Sequence, residues 1–256
     1  MTALSDDQDA FGHLLRDYLA GQDVFEIVER DDGFVGAVGS PRRYFMPFRD
    51  WPVHERKAME WVKGRVLDVG CGAGRHSLYL WKKGMQVTSL DLSPLAVSVC
   101  RRRGLPDTRV LDINQLDPAS GPWDTVLLLG ANLGLAANPT TGAALLARLA
   151  AATSEGARII AESLDPWVVA EPVHVAHLQE NLRHGRLPGH LIIRIRYKQR
   201  YTPWFEYLFL AKEELRRLLE GTAWRVTAYL DHETEPGAYI ALIEKGAAVD
   251  CDLFKE

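Results

Sequence analysis

Residues 65–91, RVLDVGCGAGRHSLYLWKKGMQVTSLD, constrain the fold more than any other part of the chain. An apolar run over 66–69 ends in Asp68-Val69-Gly70-Cys71-Gly72-Ala73-Gly74. A segment of helical character follows and stops at Gly84, the usual left-handed residue just past a helix end. A second apolar run over 86–90 closes on Asp91. Glycines at 70, 72 and 74 let the backbone turn sharply and approach a ligand with no Cβ in the way. An acidic residue at the end of the next strand can accept both hydroxyls of a ribose. The stretch therefore reads as a nucleoside-cofactor site in an α/β sheet.

Small differences decide which nucleoside. A dinucleotide site wants G-x-G-x-x-G, with pyrophosphate on the helix N-terminus. Here Arg75 stands where that third glycine belongs. The pattern present is D-x-G-x-G-x-G, and Asp68 beside a pyrophosphate would repel it. A carboxylate there suits a cofactor with a cationic amine. The motif, together with Asp91 and Asp112, resembles that of the class I S-adenosylmethionine-dependent methyltransferases of small-molecule type. The resemblance covers roughly residues 64–163 and 211–246.

It implies cofactor roles position by position. Asp68 resembles the carboxylate near the methionine end. Gly70, Cys71, Gly72 and Gly74 resemble the backbone cradle, and Arg75 is within reach of the cofactor carboxylate. Asp91 resembles the ribose ligand, with Leu92 against adenine. Asp112 and Ile113 resemble the adenine-contact pair, and Gly130 and Asn132 should pass beside the sulfonium. The simpler reading of Asp112 is a cap or loop carboxylate, that of Asn132 a turn residue, and that of Arg75 an exposed helix arginine.

The remaining pattern fits the same fold. Ser93-Pro94 is a helix start, with Ser as N-cap and Pro in the first turn. Strands are expected over 66–69, 86–90, 108–111, 125–129 and 157–161, and an alanine- and leucine-rich helix over 140–152. This βαβα alternation predicts a doubly wound α/β fold with helices on both faces of a mostly parallel sheet. Residues 224–230 and 238–243 alternate as two strands. The resemblance implies that they form an antiparallel terminal hairpin completing seven strands.

Two segments lie outside that scaffold. Residues 1–63 carry a helix near 8–19, a hairpin signal at Asp32-Gly33, an aromatic passage over 44–52 and a helix over 53–63. Residues 164–210 carry a helix near 174–183 and two strands, LIIRIRYKQRY and WFEYLFL, expected to pair antiparallel. The division expected is an N-terminal cap over 1–63, a methyltransferase domain over 64–246 with 164–210 as inserted lid, and a tail over 247–256.

Composition narrows the partners. A formal charge of -4 and a pI near 6.1 advertise no phosphate-tracking surface, so no nucleic-acid partner is expected. No apolar run approaches the ~20 residues of a membrane span, so no membrane partner is expected either. Cys71, Cys100 and Cys251 show no metal-ligand spacing, and no metal is expected. The first ten residues lack an apolar signal core, and a cytoplasmic protein is expected. The oligomeric state is open.

The acceptor is less legible. Residues 129–133, LGANL, lack the D/N-P-P-aromatic motif of nucleic-acid amino-methylating enzymes and any nucleophilic cysteine. They look more like the turn of small-molecule enzymes. Tyr44, Asn132, Arg196 and Tyr207 are the expected acceptor-side residues, and the attacking atom stays open. Arg194, Arg196, Lys198 and Arg200 share one strand face, which either binds an acidic group or is simply solvated. His174 and His177 read as part of a solvated helix. A protein acceptor, or a chain that binds S-adenosylmethionine or S-adenosylhomocysteine without catalysis, remains the alternative.

Overall fold

The computed structural model describes residues 3–168 and 171–246, so the expected tail over 247–256, with Cys251, lies outside the described residues. In chain order come α1 (Ala10–Leu19), β1 (Glu26–Arg30), β2 (Val35–Gly39) and α2 (Val53–Ala58). The central run is β3 (Val66–Val69), α3 (Arg75–Lys82), β4 (Val87–Asp91), α4 (Pro94–Arg102), β5 (Thr108–Val110), β6 (Trp123–Leu128), α5 (Pro139–Ala152) and β7 (Thr153–Leu164). After it stand α6 (Pro172–Arg183), β8 (His190–Tyr197), β9 (Arg200–Tyr201), β10 (Phe205–Leu208), α7 (Lys212–Leu219), β11 (Trp224–Asp231) and β12 (Ala238–Lys245).

Seven strands form the main sheet in the order β11-β12-β7-β6-β3-β4-β5. The five from β7 to β5 are parallel, and β12 runs antiparallel to both β7 and β11. This is the doubly wound sheet with a terminal hairpin that the sequence led us to expect. Side chains alternate between two cores, as a sheet buried on both faces requires. Leu67, Val126, Leu128, Ile159, Ala161 and Ile243 pack on one face with Leu145 and Leu149 of α5 and Leu215 of α7. Val66, Leu127, Ile160 and Ile240 pack on the other with Ala58 of α2 and Leu80 of α3. No helix among the described residues is long and apolar enough to cross a membrane.

The two segments outside the scaffold are joined, which their sequences did not reveal. Strand β8 pairs antiparallel with β1 and with β10, and β1 pairs with β2, giving a second sheet in the order β10-β8-β1-β2. The helix expected over 53–63 is shorter. It ends at Ala58 and passes through a 3-10 turn, Met59–Trp61, before β3. The β-branched Val62 is extended there, and the Lys63 amide is taken by Thr125 Oγ1 at 3.0 Å.

Helix α1 is fastened to the scaffold by one carboxylate. Asp9 is 1% exposed. It accepts from the Gly12 amide at 3.0 Å, from Ser93 Oγ at 2.5 Å and from the Leu95 amide at 2.9 Å, so it caps α1 and the first turn of α4 together. The helices approach closely enough that a Cβ on Gly12 would lie 2.3 Å from Ser93 Oγ. Asp9→Ala should therefore cost about 2–3 kcal/mol, the worth of a lost cap plus buried donors left unpaired. Urea unfolding will show it as a lower midpoint at unchanged slope. A midpoint equal to wild type would mean that the clamp carries no stability.

Candidate active site

Strand order reverses at β3, whose neighbours β4 and β6 belong to opposite halves of the sheet. Open α/β sheets bind ligands at such a point, beyond the strand carboxyl ends. A cavity of about 1240 Å³ lies there, walled by the loops after β3, β4, β5 and β6 and by residues of the second sheet. Single-ligand pockets run to roughly 300–1,000 Å³, so this one has room for two molecules.

Going along the sheet edge from β5 to β7, the cavity wall presents Asp112 and Ile113, then Asp91 and Leu92, then Gly70 to Gly72, then Gly130 to Asn132, and last Glu162. Asp91 is held by two backbone donors. Gly72 N gives to Oδ2 and Ser93 N to Oδ1, both at 2.9 Å. Burial pushes its carboxyl up to about 6, against the pull of those amides. Asp112 accepts from the Asn114 amide at 2.9 Å and so also caps a 3-10 turn.

Arg75 and Glu55 form the opposite wall. Arg75 Nη2 donates to Glu55 at 2.8 Å, its guanidinium lies over Trp51, and His76 reaches the same carboxylate at 3.2 Å. Burial opposes it, but His76 and Arg75 hold Glu55 well below the ordinary carboxylate range. Nη1 of Arg75 is buried with no hydrogen-bond partner. An arginine that lines the cavity with one nitrogen unpaired is suited to a ligand carboxylate. The exposed-arginine reading of Arg75 is therefore set aside.

Three expected cofactor residues sit differently from the sequence reading. Asp68 lies behind the glycine loop, not among the cavity-lining residues. It is 2% exposed and accepts from Ser77 Oγ at 2.6 Å, which in turn accepts from Ser89 Oγ at 2.7 Å. Burial raises its pKa, so it braces α3 against β3 and β4. Gly74 is also absent from the wall; it opens α3, where a Cβ would meet Leu105 at 2.6 Å. Asn132 lines the cavity, but its amide is engaged by the carbonyls of Val69 at 3.0 Å and Gly70 at 2.9 Å.

The acceptor-side residues divide. Tyr44 and Tyr207 line the cavity. Tyr44 donates to Glu26 at 2.9 Å, with Arg43 bridging the two, and burial raises its pKa. Tyr207 donates to the Ala131 carbonyl at 2.6 Å, and burial raises its pKa too. Arg196 does not face the cavity, which takes Leu191, Ile193 and Ile195 from β8. Strand alternation turns it outward, where Glu29 binds both Arg196 at 3.1 Å and Arg194 at 2.6 Å. The expected basic face is thus neither a docking site nor freely solvated. Lys198 pairs with Asp17 and Arg200 with Asp6.

The histidine segment also needs correcting. His174 and His177 face the cavity rather than solvent. Arg30 Nη1 meets His174 at 3.3 Å, and Asp32 meets both Arg30 at 2.6 Å and His177 at 3.2 Å. Those contacts tie α6 to β1. Sequence reasoning missed Glu26, Arg43, Glu55 and Glu162 entirely. Only Glu162, an acidic residue at the end of the apolar run ARIIAE, carried a local signal.

Among the described residues, His54, His232 and Glu233 come nearest to a metal-ligand set, with donor atoms within 4.8 Å of one another. Two of the three have lone pairs already engaged. The Thr234 and Glu235 amides both donate to His232 Nδ1, which places the proton on Nε2, and Glu233 accepts the Val53 amide at 2.7 Å.

A family model described as a methyltransferase domain matches residues 66–156. Residues 66–156 carry a methyltransferase domain. The chain is 40% identical over 74 residues to a ubiquinone biosynthesis O-methyltransferase of Xanthomonas euvesicatoria pv. vesicatoria (strain 85-10), covering 27% of this chain and 31% of that protein. It is 43% identical over 63 residues to a malonyl-[acyl-carrier protein] O-methyltransferase of Enterobacter lignolyticus (strain SCF1), covering 24% and 25%. The chain thus matches less than a third of the length of these curated relatives. A solved methyltransferase of Bacteroides fragilis, in complex with S-adenosyl-L-homocysteine, shares the fold over 96% of this chain and 98% of its own. The TM-score is 0.80 at 21% identity. The likeness therefore extends beyond the methyltransferase domain to the segments that build the second sheet.

Proposed function

We propose that the chain binds S-adenosylmethionine along the sheet edge and transfers its methyl group to a small-molecule acceptor held under the second sheet. One observation carries the reading: a single large cavity is lined by a ribose-competent carboxylate, a glycine loop and an arginine with one nitrogen unpaired. Asp91 takes the ribose hydroxyls, and Asp112 with Ile113 takes adenine. Gly70, Cys71 and Gly72 let the chain approach, and Arg75 Nη1 takes the carboxylate of the methionine end. Bound there, S-adenosylmethionine supplies an activated methyl on a good leaving group.

The protein's contribution is placement. Near-attack alignment is worth up to ~7–11 kcal/mol, and a chamber under the second sheet supplies it by confinement. Tyr44 and Tyr207 border that chamber with their hydroxyls donating to Glu26 and the Ala131 carbonyl, so they serve as neutral walls. The lid role of residues 1–63 and 164–210 follows from the same placement, since β1, β8 and β10 all line the cavity.

Incubation with methyl-tritiated S-adenosylmethionine and a cell extract, split by ultrafiltration, tests the acceptor class. Label is expected in a low-mass product that chromatography separates from S-adenosylmethionine and that boiled enzyme does not form. Label confined to the protein fraction would overturn the small-molecule reading, and no transfer at all would favour a binding protein without catalysis.

A further inference from the structure

We infer that Glu162 is the carboxylate that receives the acceptor's proton, and that the acceptor is a neutral, largely apolar molecule carrying an O–H or N–H. This rests on the methyltransferase reading above.

Position is the first argument. With adenine over β5, ribose over β4 and the methionine end over the β3 loop, the acceptor lies beyond it, above β6 and β7. Glu162 is the carboxylate that the wall presents there.

Availability is the second. Asp91 is held by backbone amides over β4, at the ribose end, and three other charged groups of the wall have short side-chain partners. Glu26 is engaged by Arg43 and Tyr44, Arg30 by Asp32 and His174, and Glu55 by Arg75 and His76. Glu162 Oε2 accepts the Gly130 amide at 2.6 Å and the Ala131 amide at 3.3 Å, which fixes the carboxylate in place. Its Oε1 stands 3.7 Å from His54 Nε2, too far for a hydrogen bond.

The imidazole behind it is the third. The His54 side chain is 1% exposed, and neither ring nitrogen has a hydrogen-bond partner. It lies between Glu162 and Glu233, the latter at 3.4 Å. Burial lowers its pKa, but these carboxylates raise it further, above the ordinary imidazole value. His232 lies against His54 with ring centroids 4.4 Å apart and the planes tilted by 51°, and Tyr207 of β10 feels the Glu162 charge. His54 is a positioning residue here, since it does not line the cavity.

The chamber sets the acceptor's body. Val28, Leu191, Ile193, Ile195, Phe205 and Phe209 line it. Aliphatic and aromatic walls with their charges already matched fit an uncharged, ring-sized molecule. In the step itself the acceptor oxygen's lone pair forms the new C–O bond. The C–S bond breaks with its electrons going to sulfur, and the O–H proton passes to Glu162 Oε1. The products are the methyl ether, S-adenosylhomocysteine and a protonated Glu162, which gives its proton to water after release.

The test compares wild type with Glu162→Gln, whose amide oxygen can still accept from Gly130. The probes are 1-naphthol, which arrives protonated, and 2-naphthalenethiol, which arrives largely ionised at pH 8. S-adenosylhomocysteine affinity and melting temperature should match wild type, showing an intact fold. By calorimetry on the S-adenosylhomocysteine complex, the variant should bind naphthol at least fivefold more weakly. It should bind the thiolate as well or better, because a repelling carboxylate is gone. Naphthol methylation should fall about 100-fold, the scale of general-base catalysis, and thiol methylation less than threefold. Equal losses for both probes, unchanged naphthol binding, or a wild type that binds S-adenosylhomocysteine yet methylates neither probe would overturn the inference alone. A wild type that does not bind S-adenosylhomocysteine would overturn the methyltransferase reading itself.

Discussion

Replacing Asp91 with alanine is expected to lower S-adenosylhomocysteine affinity at least a hundredfold in a protein that remains folded. Its two oxygens are aimed by the Gly72 and Ser93 amides and face the cavity. Each ribose hydroxyl donating to an ionised carboxylate is worth about 1.5–3 kcal/mol, and two such bonds exceed the ~2.7 kcal/mol of a hundredfold change. The same residue gives a pH signature. Its carboxyl is pushed up to about 6 by burial, so it is largely protonated at pH 5 and ionised at pH 7.5. Affinity should therefore rise between those values in wild type, and this dependence should vanish in Asp91→Asn. For the ligand-free protein the sign reverses. A raised folded-state pKa contributes stability that is fully present below the ordinary aspartate value of 3.8 and is lost as pH rises through about 6. Calorimetry across that range checks the first claim and urea unfolding the second. Unchanged affinity in Asp91→Ala would place the ribose elsewhere.

The second large effect is expected at Gly70. Its φ is +69°, and a Cβ there would lie 2.4 Å from Asn132 Nδ2. An alanine meets two costs. The left-handed backbone costs roughly 1–2 kcal/mol. Displacing the Asn132 amide frees the Val69 and Gly70 carbonyls, about 1 kcal/mol for each lost bond. Gly70→Ala should lose about 3 kcal/mol of stability and weaken S-adenosylhomocysteine binding, because the displaced loop is part of the cradle. Asn132→Ala should share the second cost, so the double variant should lose less than the sum of the two. A Gly70→Ala protein within 1 kcal/mol of wild type would show that the loop yields freely.

These two residues come from the part of the chain that was most legible. The β3-α3-β4 unit announces itself because short apolar runs buried on both faces, glycine turns and a Ser-Pro helix start are all local signals. The second sheet was not legible, because β1 and β8 pair across more than 150 residues and each mixes charged with apolar side chains. Without knowing that Glu29 lies opposite Arg194 and Arg196, their shared face looked free to bind a ligand, and Arg196 was misplaced for that reason. His174 and His177 were misread likewise, since Arg30 and Asp32 belong to the distant hairpin. Asp68 was legible as a motif residue but not in its packing. Its motif position was plain, but the Ser77 hydroxyl that turns it inward comes from the following helix.

The central claim is that this cavity is a site for S-adenosylmethionine. Titration calorimetry of the wild-type chain with S-adenosylhomocysteine, and separately with a nicotinamide dinucleotide, tests it most directly. One S-adenosylhomocysteine per chain with no dinucleotide binding is the expected result. Binding of the dinucleotide instead, or no heat with S-adenosylhomocysteine in a folded protein, would contradict it.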